Sequence, residues 1–318
     1  MVTSNRRLLA CGAAVLACAA GVATPLAVSS GERHAVDPAN HPLGLRPSWM
    51  ACYRLGARIR PVAFLAGEYT IGEAHLTART DHGSGQGYSL LVGSDPAVSP
   101  RGINQWGFFS ELETQGLVQV FGVMTATDKR SIEQLRTASQ KPSRGRQMFK
   151  VFHATVGGDH ATSSVQGLAL SDRLTFRDLD AVIAQIPQAR NATEAPLLEG
   201  TEPGFLFAMA SLMRDNVDAV HRTGQPAADG RRPFVFANKL YSVVTRSSRA
   251  VSRVTIEGRE FHDVIDTRFE VRTAPTGRGE SFRVVYGTDG ALREVPVYVE
   301  YRPHWWFELA MVLVDPVR

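Results

Sequence analysis

The final residues of this chain, from about Lys239 to Val314, alternate strand-like runs with tight turns, and this pattern restricts the fold more than any other feature. In Glu294–Tyr301, Val297, Val299 and Tyr301 fall on one face and Tyr298 and Glu300 on the other, the period-2 mark of a half-buried strand. A turn is expected at Arg302-Pro303-His304, followed by a strand from Trp305 to Val314. On that strand Trp305, Phe307, Leu309, Met311 and Leu313 make one wholly apolar face, and the opposite face is apolar except for Glu308. A strand apolar on both faces belongs at the centre of its sheet.

Upstream the same grammar recurs. Strands are expected at 72–79, 88–92, 106–111, 117–124, 147–156, 234–237, 240–245, 251–256, 262–272 and 281–286. Glu257-Gly258 supplies a hairpin turn. Asp81-His82-Gly83-Ser84-Gly85-Gln86-Gly87 also reads as a hairpin connection, because a phosphate loop requires a helix after it and a strand follows here. Two helices are expected. Asp178–Ile186 is short and ends at Pro187; Phe205–Val220 places Phe205, Met209, Leu212, Met213, Val217 and Val220 on one stripe. Short turns between strands imply an antiparallel meander, so the expected fold is mainly β, a curved antiparallel sheet or half-barrel with one or two covering helices.

The N-terminus reads as an export signal over 1–29: Asn5-Arg6-Arg7, an apolar run from Leu8 to Ala23, then small residues through Ser29. The run is too short and too broken by Gly12, Gly21 and Pro25 for a full membrane span. Val15-Leu16-Ala17-Cys18 resembles a lipoprotein box, so membrane association is expected only if Cys18 carries a lipid; Arg6-Arg7 faintly resembles a twin-arginine signal. Residues 30–48 read as a linker, and 49–318 as one β-rich domain with a basic loop insertion near 128–150, which could meet an anionic surface or simply be solvated. With 44% hydrophobic and 21% charged residues the chain is an ordinary globular one. Its formal charge of +4 falls to +2 without Arg6 and Arg7, too little to argue for nucleic acid. Cys11 and Cys18 lie in the leader, so Cys52 would stand alone in the mature body, excluding an intrachain disulfide or a cysteine metal site.

Gly67-Glu68-Tyr69 with Gly72-Glu73-Ala74-His75-Leu76, the Phe205–Arg214 helix before Lys239-Leu240-Tyr241-Ser242-Val243, and the runs Asp263–Thr267, Phe282–Tyr286 and Val295–Tyr301 resemble the exported bacterial proteins grouped as domain of unknown function 3108. The resemblance covers most of residues 60–314. It implies an exported, curved antiparallel sheet around an apolar interior, with no catalytic residues to carry over. The basic 128–150 segment and a longer middle region depart from that pattern.

Chemistry is sparsely signalled. No His-x-x-x-His or His-Glu-x-x-His spacing and no Gly-x-Ser-x-Gly elbow occurs, and no cofactor or metal is called for. Glu260-Phe261-His262-Asp263 is dense in ionisable groups, yet in a strand Asp263 points away from the other two. Cys52 as a nucleophile needs a positioned histidine, and no familiar signature surrounds it. Aromatic side chains offer a different site: Trp305, Trp306, Tyr298, Phe269, Phe108 and Trp106 are the candidate ligand contacts. The expected role is an exported cell-envelope protein binding a lipid, another amphiphile or an envelope partner, in the periplasm, at the outer envelope or secreted. The alternative is an exported hydrolase or lyase using loop residues such as His82, Glu111 or His160 on an envelope polymer.

Overall fold

The computed structural model describes residues 47–62, 65–81, 85–126, 146–171, 174–188, 192–236, 239–273, 279–304 and 307–314. The leader, most of the basic segment, His82, Trp305 and Trp306 lie outside these described residues.

Among the described residues, fourteen strands form one antiparallel, open, curved sheet, as the sequence pattern indicated. In chain order they are β1 (Pro47–Val62), β2 (Leu65–Asp81), β3 (Gly85–Ser94), β4 (Trp106–Thr114), β5 (Leu117–Thr125), β6 (Arg146–Gly157), β7 (His160–Ser171) and β8 (Thr193–Pro196). The second half contains β9 (Arg231–Phe236), β10 (Lys239–Ile256), β11 (Arg259–Thr273), β12 (Gly279–Gly287), β13 (Pro296–His304) and β14 (Phe307–Leu313). A short helix α1 (Leu179–Ile183) and a long one, α2 (Phe205–Thr223), lie between β7 and β9. Across the sheet the order runs β8 to β1, then β14 back to β9, so β1 and β14 meet in the middle and β8 and β9 are the edges.

Turn chemistry explains the tight hairpins. Gln115-Gly116 and Glu257-Gly258 both hold positive φ at two consecutive positions, the twist-matched turn for which glycine in second place carries no Cβ penalty. The doubly apolar β14 is central, paired with β1 and β13. Its turn falls later than expected: β13 continues through Arg302 to His304, which pairs with Phe307. Arg302 holds the strand there by ion pairs to Glu300 and Glu308, each at 2.8 Å.

Besides the short edge strand β8, three segments differ from the sequence reading. Residues 47–62 form a long strand where only the onset of order near Trp49 was expected. His160, read as a loop residue, begins strand β7, which runs to Ser171. The two expected strands at 240–245 and 251–256 are one, β10, which bulges between Thr245 and Ser247 and then continues.

The sheet curls strongly. Val118 and Val120 of β5, Phe152 and Val156 of β6 and Val235 of edge strand β9 share one apolar cluster with Phe207 of α2. Strands from opposite ends of the sheet can meet only if its two halves face each other. Helix α2 lies on this concave side, packing Ala208, Leu212 and Val217 against Val243, Ile265, Phe269 and Tyr286. Helix α1 lies on the convex side: Leu179 and Val182, with Phe176 before them, cover Leu91, Trp106, Phe108, Val123 and Phe149.

Across the convex face of the other half runs a ladder of ions. Arg249 and Arg283 both donate to Asp266 (2.8 and 2.7 Å), Arg302 pairs with Glu300 and Glu308, and Arg58 with Glu308 (3.6 Å) and Glu68 (2.7 Å). This is why Glu308 interrupts an otherwise apolar face. Burial alone would raise the Asp266 carboxyl, and the two arginines override it, holding it below the ordinary value. Its stabilising contribution is therefore present above the unfolded-state pKa and lost as pH falls through the lower folded-state pKa. Asp266→Ala is expected to cost about 1–2 kcal/mol at neutral pH, read from urea midpoints, and the difference should shrink in acid and in high salt. An unchanged midpoint at low salt would show the ladder to be decorative.

Candidate functional site

Between α2 and the concave face of the sheet lies a cavity of about 400 Å³. Its walls are aromatic and aliphatic: Trp49, Tyr88, Phe109, Phe205, Phe234 and Phe282 are among the rings, with Leu90, Met209, Met213, Val299 and Met311 between them. Alternation places these residues. On β2 and β3, Leu76, Ala78, Tyr88 and Leu90 face the cavity, while Leu91 next door faces α1.

The wall is not free of carboxylates. Glu111, Glu280 and Glu294 contribute to it. Glu280 accepts from the Tyr301 hydroxyl (3.3 Å), and Glu294 stands between Arg214 (3.4 Å) and Arg293 (3.3 Å). Glu111 has a structural partner. Its two carboxylate oxygens accept the backbone N–H groups of Leu206 (3.0 Å) and Phe207 (2.9 Å), at the first turn of α2. The N-cap of α2 is Gly204, which has no side chain to accept those amides, and a Cβ there would overlap the Glu111 carboxylate. The glycine opens the space, and a carboxylate from β4 fills it. Burial pushes the Glu111 carboxyl up to about 7, against the pull of the helix amides.

Of the predicted site residues, the four described aromatic ones fall elsewhere. Trp106 and Phe108 are buried on the convex side beneath α1, where the Trp106 indole donates to the Leu174 carbonyl (3.2 Å). Phe269 is buried under α2, one ring removed from the cavity through Phe282 (centroids 5.8 Å apart). Tyr298 is on the convex face, with its hydroxyl on Glu300 (3.1 Å) and Arg283 over its ring. Trp305 and Trp306 lie outside the described residues. Of the catalytic alternatives, Glu111 is occupied by α2. His160 sits at the start of β7, three strands away, exposed, with its ring on the adjacent Asp159. His82 lies outside the described residues. Glu260 and His262 share a face at 3.9 Å, and Asp263 adopts positive φ while its carbonyl accepts from Thr288.

One cluster had no sequence signature. Cys52 and His75 are directly opposed on β1 and β2, with Sγ 3.4 Å from Nδ1. Nε2 is 3.6 Å from Glu73, and Arg177 clamps Glu73 (3.1 Å) and Asp95 (2.8 Å). Burial pulls the imidazole pKa down, but contacts with Cys52 and Glu73 outweigh it and take it to about 9. This cluster faces the convex side, because the alternate residues Ala51, Tyr53 and Ala74 belong to the core.

Among the described residues, no group of three or more histidine, cysteine or acidic side chains is arranged to hold a metal ion, and no helix is long and apolar enough to cross a membrane. No family model matches the chain, and comparisons with curated proteins and with solved structures also find no match.

Proposed function

We propose that this protein is an exported envelope protein that binds an apolar or amphipathic molecule in the cavity between α2 and the curled sheet. The observation that carries the reading is the cavity itself: about 400 Å³, within the roughly 300–1,000 Å³ of small-molecule sites, walled by rings and aliphatic chains with a few polar groups at its ends. The apolar wall is costly to leave in contact with water and gains from a ligand that covers it. The leader-like N-terminus and the resemblance to exported β-rich proteins belong to the same reading. The catalytic alternative has less support, because Glu111 and His160 do not share a cleft.

Native mass spectrometry of the full chain expressed in an exporting host, followed by solvent extraction, tests both halves of the proposal. The expected result is a protein shortened at its N-terminus that carries a bound small amphiphile. Ala210→Trp, which projects a large ring from α2 into the cavity, should abolish that adduct while the protein stays folded by circular dichroism. A homogeneous, ligand-free wild type, or an adduct unaffected by the substitution, would sink the binding reading.

A further inference from the structure

The polar groups around the cavity are not evenly spread. At one end meet the start of β1 (Ser48, Trp49), the end of β2 (Arg79, Thr80) and the start of β3 (Gln86). The segment leading into β13 (Arg293, Glu294) reaches the same end, because the Tyr53 hydroxyl on β1 donates to the Pro296 carbonyl (2.8 Å). Arg214 of α2 joins them there, 3.4 Å from both the Tyr88 hydroxyl and Glu294. Arg79, Arg214, Arg293 and Glu294 line this end, and Glu111 of β4, opposite Tyr88, lies beside it with both oxygens taken by the α2 amides. At the opposite end of β12 and β13 the ionisable pair is Glu280 with Tyr301.

The arginines are not equally committed. Arg293 is held by Asp218 (2.8 Å), His221 (3.2 Å) and Glu294 (3.3 Å). Among the described residues Arg214 makes two long contacts, and it is half exposed. A guanidinium carries more N–H donors than these two contacts use, in a planar array that matches a carboxylate or phosphate. Glu294, wedged between two arginines, holds a positive φ of 60°, a strained conformation for a residue other than glycine. Beyond Arg214 the wall along Met213, Met209, Phe205 and Phe282 is apolar, with Glu111 held on the α2 amides beside it and Glu280 paired to Tyr301 at the far end.

Resting on the cavity reading, we infer that the occupant is a single-chain amphiphile with an anionic head, a carboxylate or phosphate monoester, whose head binds Arg214 at the β1–β13 end and whose chain lies along α2. A volume near the lower limit for small-molecule sites suits one acyl chain and not two. Arg214 fixes orientation and charge preference, while the apolar wall supplies affinity.

The test uses the full chain, the neutral dye Nile red as reporter, and four competitors below their micellar concentrations: dodecanoate, dodecyl phosphate, dodecanol and dodecylamine. Both anions are expected to displace the dye at concentrations about tenfold lower than dodecanol, and the amine to be weakest. Which anion is tighter names the head. Arg214→Gln should bring the anions level with dodecanol and leave the dye and dodecanol unchanged. Glu294→Gln, which removes the competing carboxylate, should tighten both anions several-fold. Equal displacement by anions and alcohol in the wild type overturns the head-group inference while the cavity reading stands, as does an Arg214→Gln protein that keeps the preference. Failure of the dye and all four competitors to bind overturns the cavity reading beneath it.

Discussion

Trp106→Ala is expected to destabilise the protein by about 3–5 kcal/mol, the usual cost of removing a large buried ring. Trp106 is among the largest fully buried side chains, packs against Phe149 with centroids 5.2 Å apart, and donates to Leu174. Its removal leaves a void under α1 and takes away one of two donors to the Leu174 carbonyl, leaving the Asn104 amide (2.9 Å) on the segment that carries that helix. Helix α1 is five residues long and is held by the ring cluster rather than by its own turns. Urea unfolding should therefore show a large drop in midpoint, with protease cleavage appearing early near 174–188. Dye binding by the folded fraction should be unchanged, because Trp106 and the cavity lie on opposite faces of the sheet. A loss below about 1 kcal/mol would mean that α1 does not seal the convex face.

Glu111→Ala is expected to cost about 3 kcal/mol, since two buried amides at the start of α2 lose their only side-chain acceptor. Glu111→Gln keeps an acceptor oxygen and separates the cap from its titration. In the folded protein this carboxyl titrates near 7, above its ordinary 4.5. The folded state thus binds the proton more tightly than the unfolded one. The contribution from Glu111 is fully present below pH 4.5 and is lost as pH rises through about 7. Relative to Glu111→Gln, the wild type should be more stable at pH 4 than at pH 8 by about 3 kcal/mol. The two chemical-denaturation curves, taken across that range, give the result directly; parallel curves would mean that the helix amides hold the carboxylate charged throughout.

Most of the architecture can be read from residues that alternate. In β11, Ile265, Thr267, Phe269 and Val271 alternate with charged neighbours, and the buried pattern follows the same rhythm. Strand β1 has comparable alternation, with Ala51, Tyr53, Leu55 and Ala57 buried, but its arginines and small residues mute the apolar signal. Strand β7 is harder to detect. Its buried positions include Ala161, Ser163 and Ser164, and its Val165 is exposed, so hydrophobicity carries almost no information there. The α2 helix was legible from its stripe, but its depth was not: Phe207, Ala208 and Ala210 are buried as well, because strands approach from more than one side.

The candidate site was far less legible. Its wall draws on β1 to β5, α2 and β9 to β14, and no local spacing records such a meeting. Glu111 caps a helix that begins about ninety residues later in the chain. The Cys52–His75 contact follows from the register of β1 on β2, which becomes visible only once β1 is known to be a strand. Aromatic residues suggested a binding surface, and of the four described among those singled out, Trp106, Phe108 and Phe269 serve packing. The rings that do line the cavity, such as Phe205, Phe234 and Phe282, look no different in sequence.

The pairing of β1 with β14 divides the sheet into two arms whose backbones pair at one seam. Within each arm nearly every ladder joins neighbours in the chain, whereas the seam joins residues more than two hundred and fifty positions apart, such as Tyr53 with Leu313. Local ladders form quickly, and a closure of that span is slow, so the arms are poised to take shape before they join. The cavity takes its wall from both arms and therefore exists only when they are joined. An occupant that touches both arms thereby strengthens their union, and its affinity and the integrity of the seam become two readings of one equilibrium.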